Sequence, residues 1–416
     1  MAGIGALRSK GTHSRLPALA DVPVMWAGAP FWLGLDTVIG DALGNERAAR
    51  LRLELARDLA RQLVVRAAPT VGAASGPPML QLARGLLVAL GEGRVSIESD
   101  GGRRRGVAAS PTIGATWSAN TAAKAAVPVD GYLAGWFAAG IELALRRDPN
   151  TIAAREVRCV ASGAARCEFD FVRSDATAPV AGPLLGDLEA LCETAPTDPD
   201  AIDGLTERTR TWLESQRADA DGRIQPMGTP LLVRPAAWTA RIAAAAIDAL
   251  EADAPDAVPA LLALLRECAA RAVINDVGRV IVSDWWEAIA GGLPTTQQEA
   301  AHHALAVVRA FGWGQWSVVE LDPGRRMVLS VPASPVGAVL RAHFGVAEVC
   351  RDWFASGAAE AIGRLVLGLP WSEDADVPLA RVLDRVHDRD ELVTEVVTCV
   401  TSGDDGTTLV VSMAED

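Results

Sequence analysis

An α+β fold, built from two copies of one helix-plus-antiparallel-sheet module, is predicted by three observations in this 416-residue sequence. An alternating stretch broken by an Asp/Gly turn occurs twice. Each copy is followed by helical sequence with a Trp-Phe-Ala-x-Gly core. Each half then closes on alternation around a Cys and a Ser-Gly turn.

In chain order, the first element is a helix. From Asn45, read as its N-cap, Leu51, Leu55, Leu59 and Leu63 recur every fourth residue with charges between them, which describes a packing helix. Gly91 to Arg104, ending in Ala109-Ser110-Pro111, then alternates around Asp100-Gly101-Gly102 as two strands of a hairpin, with Arg103–Arg105 read as a solvated turn. The helix carrying Trp136-Phe137-Ala138-Ala139-Gly140 follows. Glu156 to Phe171, with Ser162-Gly163 in its turn, makes a second hairpin.

The same order returns. Trp313 to Arg326, ending in Ala333-Ser334-Pro335, matches the first hairpin. Trp353-Phe354-Ala355-Ser356-Gly357 matches the helix core, and Val396 to Val411, through Cys399 and Ser402-Gly403, matches the closing hairpin. Helical patterning at Ala240–Leu250, Val258–Ala272 and Thr296–Phe311 stands where the first half has its leucine helix. Pro179, Pro183, Pro196 and Pro199 mark a linker. The expected division is therefore 20–175, a linker at 176–225, and 226–416, with about 23 extra residues around Pro370–Glu391 in the second copy absorbed by a loop.

Composition narrows the function. A net charge of −13 argues against a nucleic-acid partner, since phosphate binding rests on Lys and Arg. No segment approaches the roughly 18 apolar residues of a membrane span, and the start of the chain lacks a leader pattern, so a cytoplasmic protein is expected. Six cysteines in this length make no disulfide framework, and Cys192, Cys268, Cys350 and Cys399 read as solitary buried thiols. No Gly-x-Gly-x-x-Gly follows a strand, and no phosphate-binding loop or nucleophile elbow is present. His302-His303 points to two helix faces and is not read as a metal pair.

Chemistry concentrates in Glu156-x-x-Cys159-x7-Cys167, one carboxylate and two thiols on the arms of one hairpin, a donor set that suits zinc. The same spacing also fits two cross-strand cysteines in a reduced core, with Glu156 solvated on the opposite face. Gly131-Tyr132-x-x-Gly135-Trp136, followed by this motif with Gly163 and Phe169, resembles the 4-vinyl reductase domain, found in chlorophyll-biosynthesis accessory proteins and in the sensory domains of phenol- and xylene-responsive activators. The resemblance covers about residues 45–173 well and 285–413 weakly. It implies zinc at Glu156, Cys159 and Cys167. The further Cys those sensors place before the Gly-Tyr helix is missing, because Lys124 to Pro128 stands there. Asp130 is nearby and reads more readily as the cap of the helix at Gly131. Val396 and Thr407 replace Glu156 and Cys167 in the second copy, so no metal is expected there.

Twelve tryptophans against one tyrosine offer indole walls for a flat ligand or simply bulk among many small residues. Trp26, Trp117, Tyr132, Trp136 and Phe137 fall in the part resembling the sensors, and the last four are the expected pocket. The favoured expectation is a non-enzymatic sensor or regulatory module that binds a small hydrophobic or aromatic ligand and signals through a protein partner or a homodimer. A tetrapyrrole or vinyl-reductase-type accessory protein and a dimerising scaffold are the alternatives.

Overall fold

The computed structural model describes residues 16–100, 103–109, 111–120, 125, 129–173, 201–226, 228–372, 377–384 and 392–414. The fold is α+β, and the module occurs twice. Strands β1 (Ala18–Leu19) and β2 (Val22–Gly28) lead into helices α1 (Ala29–Leu43), α2 (Asn45–Val71) and α3 (Gly76–Ala89). The α2 helix buries Leu55, Leu59 and Leu63 as the four-residue spacing requires. Asn45 is not its cap. Gly44, at φ 79°, holds that place with no side-chain bond, because the chain turns sharply between α1 and α2 and glycine takes that conformation freely.

The hairpin β3 (Val95–Asp100) and β4 (Arg103–Ala108) follows, then α4 (Thr112–Asn120), α5 (Gly131–Ala144), β5 (Ile152–Arg158) and β6 (Cys167–Arg173). These strands form one antiparallel sheet in the order β3-β4-β6-β5. Arg105 lies in β4 rather than in the turn, its guanidinium shared between Glu168 and Asp170 at 2.8 and 3.1 Å. Residues 101 and 102 of that turn lie outside the described residues.

The second half runs α6 (Ala201–Ser215), β7 (Leu231–Pro235), α7 (Ala236–Asp253), α8 (Val258–Ile281), α9 (Trp286–Ala290), α10 (Gln297–Ala310), β8 (Gln315–Asp322), β9 (Arg326–Ala333), α11 (Pro335–Phe344), α12 (Trp353–Leu367), α13 (Leu379–Asp384), β10 (Leu392–Thr398) and β11 (Thr407–Met413). Its sheet has the corresponding order, β8-β9-β11-β10. The α6 helix falls inside the range read as linker. It buries Leu205, Thr209 and Leu213 against α10, and Asp203 at its start pairs with Arg309 at 2.7 Å. The proline-rich stretch before it, Cys192 included, and part of the 370–391 insertion lie outside the described residues.

The two Trp-Phe motifs are not equivalent in space. Trp136 is the sixth residue of α5, whereas Trp353 is the first of α12. Gly135 and Gly357 correspond instead, each letting its helix touch a long partner. A methyl group at Gly135 would stand 2.5 Å from the Leu53 carbonyl oxygen of α2, and one at Gly357 would strike the Arg266 carbonyl of α8.

The halves are joined by reciprocal exchange. Strand β2 pairs antiparallel with β7, Trp26 opposite Val233 at the centre. The Trp26 N–H donates to the Phe311 carbonyl at the end of α10, and the Val233 N–H donates to the Leu90 carbonyl at the end of α3. Helix α1 packs on α8, and α7 packs on α2. Each half therefore seats a strand and the helix that follows it, β2–α1 or β7–α7, against the other, about an approximate two-fold axis through the β2/β7 pair.

Candidate functional site

Three elements of the first half meet at the predicted motif. The backbone before α5 brings Asp130, the end of β5 brings Glu156 and then Cys159, and the start of β6 brings Cys167. A short turn at Val160–Ser162, closed by Gly163 at φ 94°, folds Cys167 back on Cys159. Ser162 pins the incoming segment by donating from Oγ to the Ala125 carbonyl at 2.9 Å, and the Ala125 N–H donates to the Ala161 carbonyl at 2.9 Å.

One ligand atom from each of Asp130, Glu156, Cys159 and Cys167 lies within 4.8 Å of every other, and all four residues are buried. Glu156 is not solvated on the opposite face: it is 7% exposed, and its Oε2 accepts the Asp130 N–H at 3.0 Å. Among the described residues no nitrogen or oxygen partners Glu156 Oε1, and the carboxyl bonds instead to the Cys159 and Cys167 thiols. Asp130 occupies the cap position of α5, but its side chain caps nothing. Its Oδ2 instead accepts from the Cys167 Sγ at 3.0 Å, and that sulfur also accepts the Val160 N–H at 3.2 Å. The expected capping role thus gives way to a place in the cluster, since the carboxylate turns toward the hairpin.

Electrostatics make this a strained set of acids. Burial, and then the charge of Cys159, push the Glu156 carboxyl up to about 8. Burial and then the neighbouring Glu156 hold Asp130 well above the usual carboxylate range. The hydrogen bond between the thiols pulls Cys159 down to about 6 and pushes Cys167 up. Four groups that cannot all ionise beside one another become compatible around a divalent cation. Two sulfurs and one carboxylate oxygen from each of Asp130 and Glu156 fit a closed, four-donor metal site.

The corresponding place in the second half keeps the scaffold but loses two of the four donors, Val396 and Thr407 standing for Glu156 and Cys167, and ties a third, Cys399, into a disulfide. The Val400 N–H donates to the Thr407 Oγ1 at 3.2 Å, as the Val160 N–H does to Cys167. Asp352 stands where Asp130 does, and it does cap its helix, accepting the Ala355 N–H at 3.2 Å. Gly114 and Gly337 press on these two aspartates alike, a methyl group at either falling 3.1 Å from Asp130 Oδ2 or 2.5 Å from Asp352 Oδ2. Cys350 and Cys399 are not solitary. They form a disulfide with Cα atoms 5.7 Å apart, a long-range pairing invisible in their spacing, whereas Cys268 is a free buried thiol as expected.

The expected pocket residues separate. Tyr132 and Trp136 lie together, ring centroids 6.2 Å apart, both fully within the core. Phe137 faces the sheet, against Phe169 at 5.2 Å and Phe171 at 5.8 Å. Trp117 on α4 is partly buried at the edge of the core. Tyr132 instead meets Trp238 of the second half edge-on at 4.9 Å and lies under the Arg234 guanidinium at 4.0 Å. Arg234 escaped sequence reasoning, although one charge in the apolar run Leu231-Leu-Val-Arg-Pro235 was a signal for a buried, partnered cation.

Fold and site together define a protein of two interlocked α+β modules with a buried thiol and carboxylate centre in the first. No family profile and no curated protein matches the chain. Among solved structures, it is similar to the phenol-responsive sensory domain of the transcription activator PoxR, crystallised with phenol, at 14% identity and a TM-score of 0.38, over 52% of this chain and 92% of that one. That likeness is distant and assigns neither ligand nor metal here. Among the described residues no helix is long and apolar enough to cross a membrane.

Proposed function

We propose that this protein is a non-enzymatic, small-molecule-binding regulatory module whose first half is clasped by zinc at Asp130, Glu156, Cys159 and Cys167. The reading is carried by the convergence of those four buried donors within 4.8 Å. A site with four protein donors leaves no open position for a substrate, so the ion serves structure and not reaction. It ties the β5–β6 hairpin to the start of α5, the helix that carries Tyr132 and Trp136. A ligand settling against those rings would pull on the clasp, and the response would leave by contact with another protein.

Metal analysis of the purified full chain, beside a Cys159→Ser/Cys167→Ser variant and Asp130→Asn, tests this. About one zinc per chain is expected in the wild type, none in the double variant and weakened retention in Asp130→Asn. A metal-free wild type, or a double variant that keeps its metal, refutes the clasp.

A further inference from the structure

A second buried polar cluster stands beside the clasp, and both halves build it. Arg234 on β7 is fully buried, and its Nε donates to Glu92 Oε1 at 2.9 Å. The guanidinium carbon lies 4.0 Å over the Tyr132 ring, 5.0 Å over Trp32 and 5.5 Å over Trp238. Among the described residues only its Nε has a partner: Nη1, Nη2 and Trp238 Nε1 have none, while Trp136 and the Tyr132 hydroxyl bond only to each other.

The unpaired Arg234 and Trp238 nitrogens share one chemical character. Arginine and indole nitrogens donate and cannot accept, and arginine cannot shed its proton to relieve the mismatch. Burying such donors without partners is costly, so their accumulation within one set of touching rings marks a place for a guest that supplies acceptor oxygens. The paired terminal nitrogens of a guanidinium match a carboxylate in two-point fashion, and the ring walls match a flat apolar body. We propose that the Arg234, Tyr132, Trp136 and Trp238 cluster binds a small aromatic carboxylate, its oxygens on Arg234 and its ring among the indoles.

This rests on the ligand-binding reading above and narrows it. A neutral phenol offers one oxygen and no charge, and uses fewer of the donors. Charge also closes: Arg52, 3.9 Å from Asp36, and Arg234 balance Asp36 and Glu92 before the guest arrives. Burial already holds both acids above the usual carboxylate range, so either can take the proton that accompanies an added anion.

Calorimetric titration of the full chain with benzoate, acetate and phenol tests the assignment. Benzoate is expected to bind more tightly than phenol, and acetate not measurably. Trp136→Phe and Trp238→Phe remove one indole N–H each while keeping an apolar ring, and each should weaken benzoate about tenfold, alongside the loss of thermal stability that a smaller ring in a fully buried position brings. Arg234→Lys should weaken it further, and the two Trp variants keep the test open if that substitution unfolds the protein. Phenol binding equal to or tighter than benzoate overturns the carboxylate assignment and leaves the ligand-binding reading standing. Benzoate binding that none of the three substitutions alters overturns the location. Failure of every aromatic probe to bind removes both readings, whatever the zinc content.

Discussion

Asp276 on α8 gives the most quantitative handle on this fold. Its Oδ2 accepts the Gly28 N–H at 2.7 Å, where β2 passes into α1, and its side chain is enclosed. Burial raises its carboxyl from 3.8 to about 7, against the smaller lowering effects of the Gly28 N–H and Arg279. A carboxyl raised in the folded state binds its proton there while the unfolded chain has already released it. Stability is therefore greatest below the unfolded value, falls as pH rises, and levels off above about 7. Between pH 5 and pH 7 the loss is about 2 kcal/mol, from roughly 1.4 kcal/mol per pH unit while only the folded form is protonated, fading as that form ionises near 7.

Asp276→Asn keeps an acceptor for Gly28 and cannot ionise. Urea unfolding of both proteins at intervals from pH 5 to pH 8 should show near-equal stability at the acidic end and a growing advantage for the variant toward pH 7. The comparison cancels the other buried acids, which titrate in both proteins. A stability difference that stays constant across this range would refute the assignment of the burial cost to Asp276.

Gly135→Ala should lower stability by about 1–3 kcal/mol, because its methyl group meets backbone of α2 that cannot swing aside; an unchanged melting temperature would show that α2 and α5 are not in that contact. Reducing the Cys350–Cys399 disulfide, whose ends are 49 residues apart, should lower stability by about 4 kcal/mol on the chain-entropy account. Denaturation with and without dithiothreitol, with Cys399→Ser as the reduced reference, measures it.

The sequence was most legible where local period and repetition agreed. Both hairpins, the α2 leucine face and the Glu156, Cys159, Cys167 set could be read because each is a short-range pattern. Asp130 was misassigned because an aspartate before a helix has the same local signature whether it caps or turns away, and only the approach of Cys167 decides. The Trp-Phe recurrence misled because identical side chains outweighed the glycines, which mark the helix contact but have no side chain to align. Helix α6 was hidden by the prolines before it. Arg234 meets Tyr132 and Glu92 across the two halves, a relation that no spacing within either half records.

The exchange of β2 and β7 has one more consequence. By the pairing of Trp26 with Val233, the position that mirrors Arg234 is Ala27, and the position that mirrors Gly28, with its N–H on Asp276, is Pro235, which has none to offer. On the helix that would face Pro235, the counterpart of Asp276 is Leu63. Two identical subunits related by such an axis would have to carry every change twice. Encoding both sides in one chain frees each from its image, so a single arginine can stand in one flank without an unpaired twin in the other. The near-symmetry makes the frame, and its local violations are where this protein has become specific.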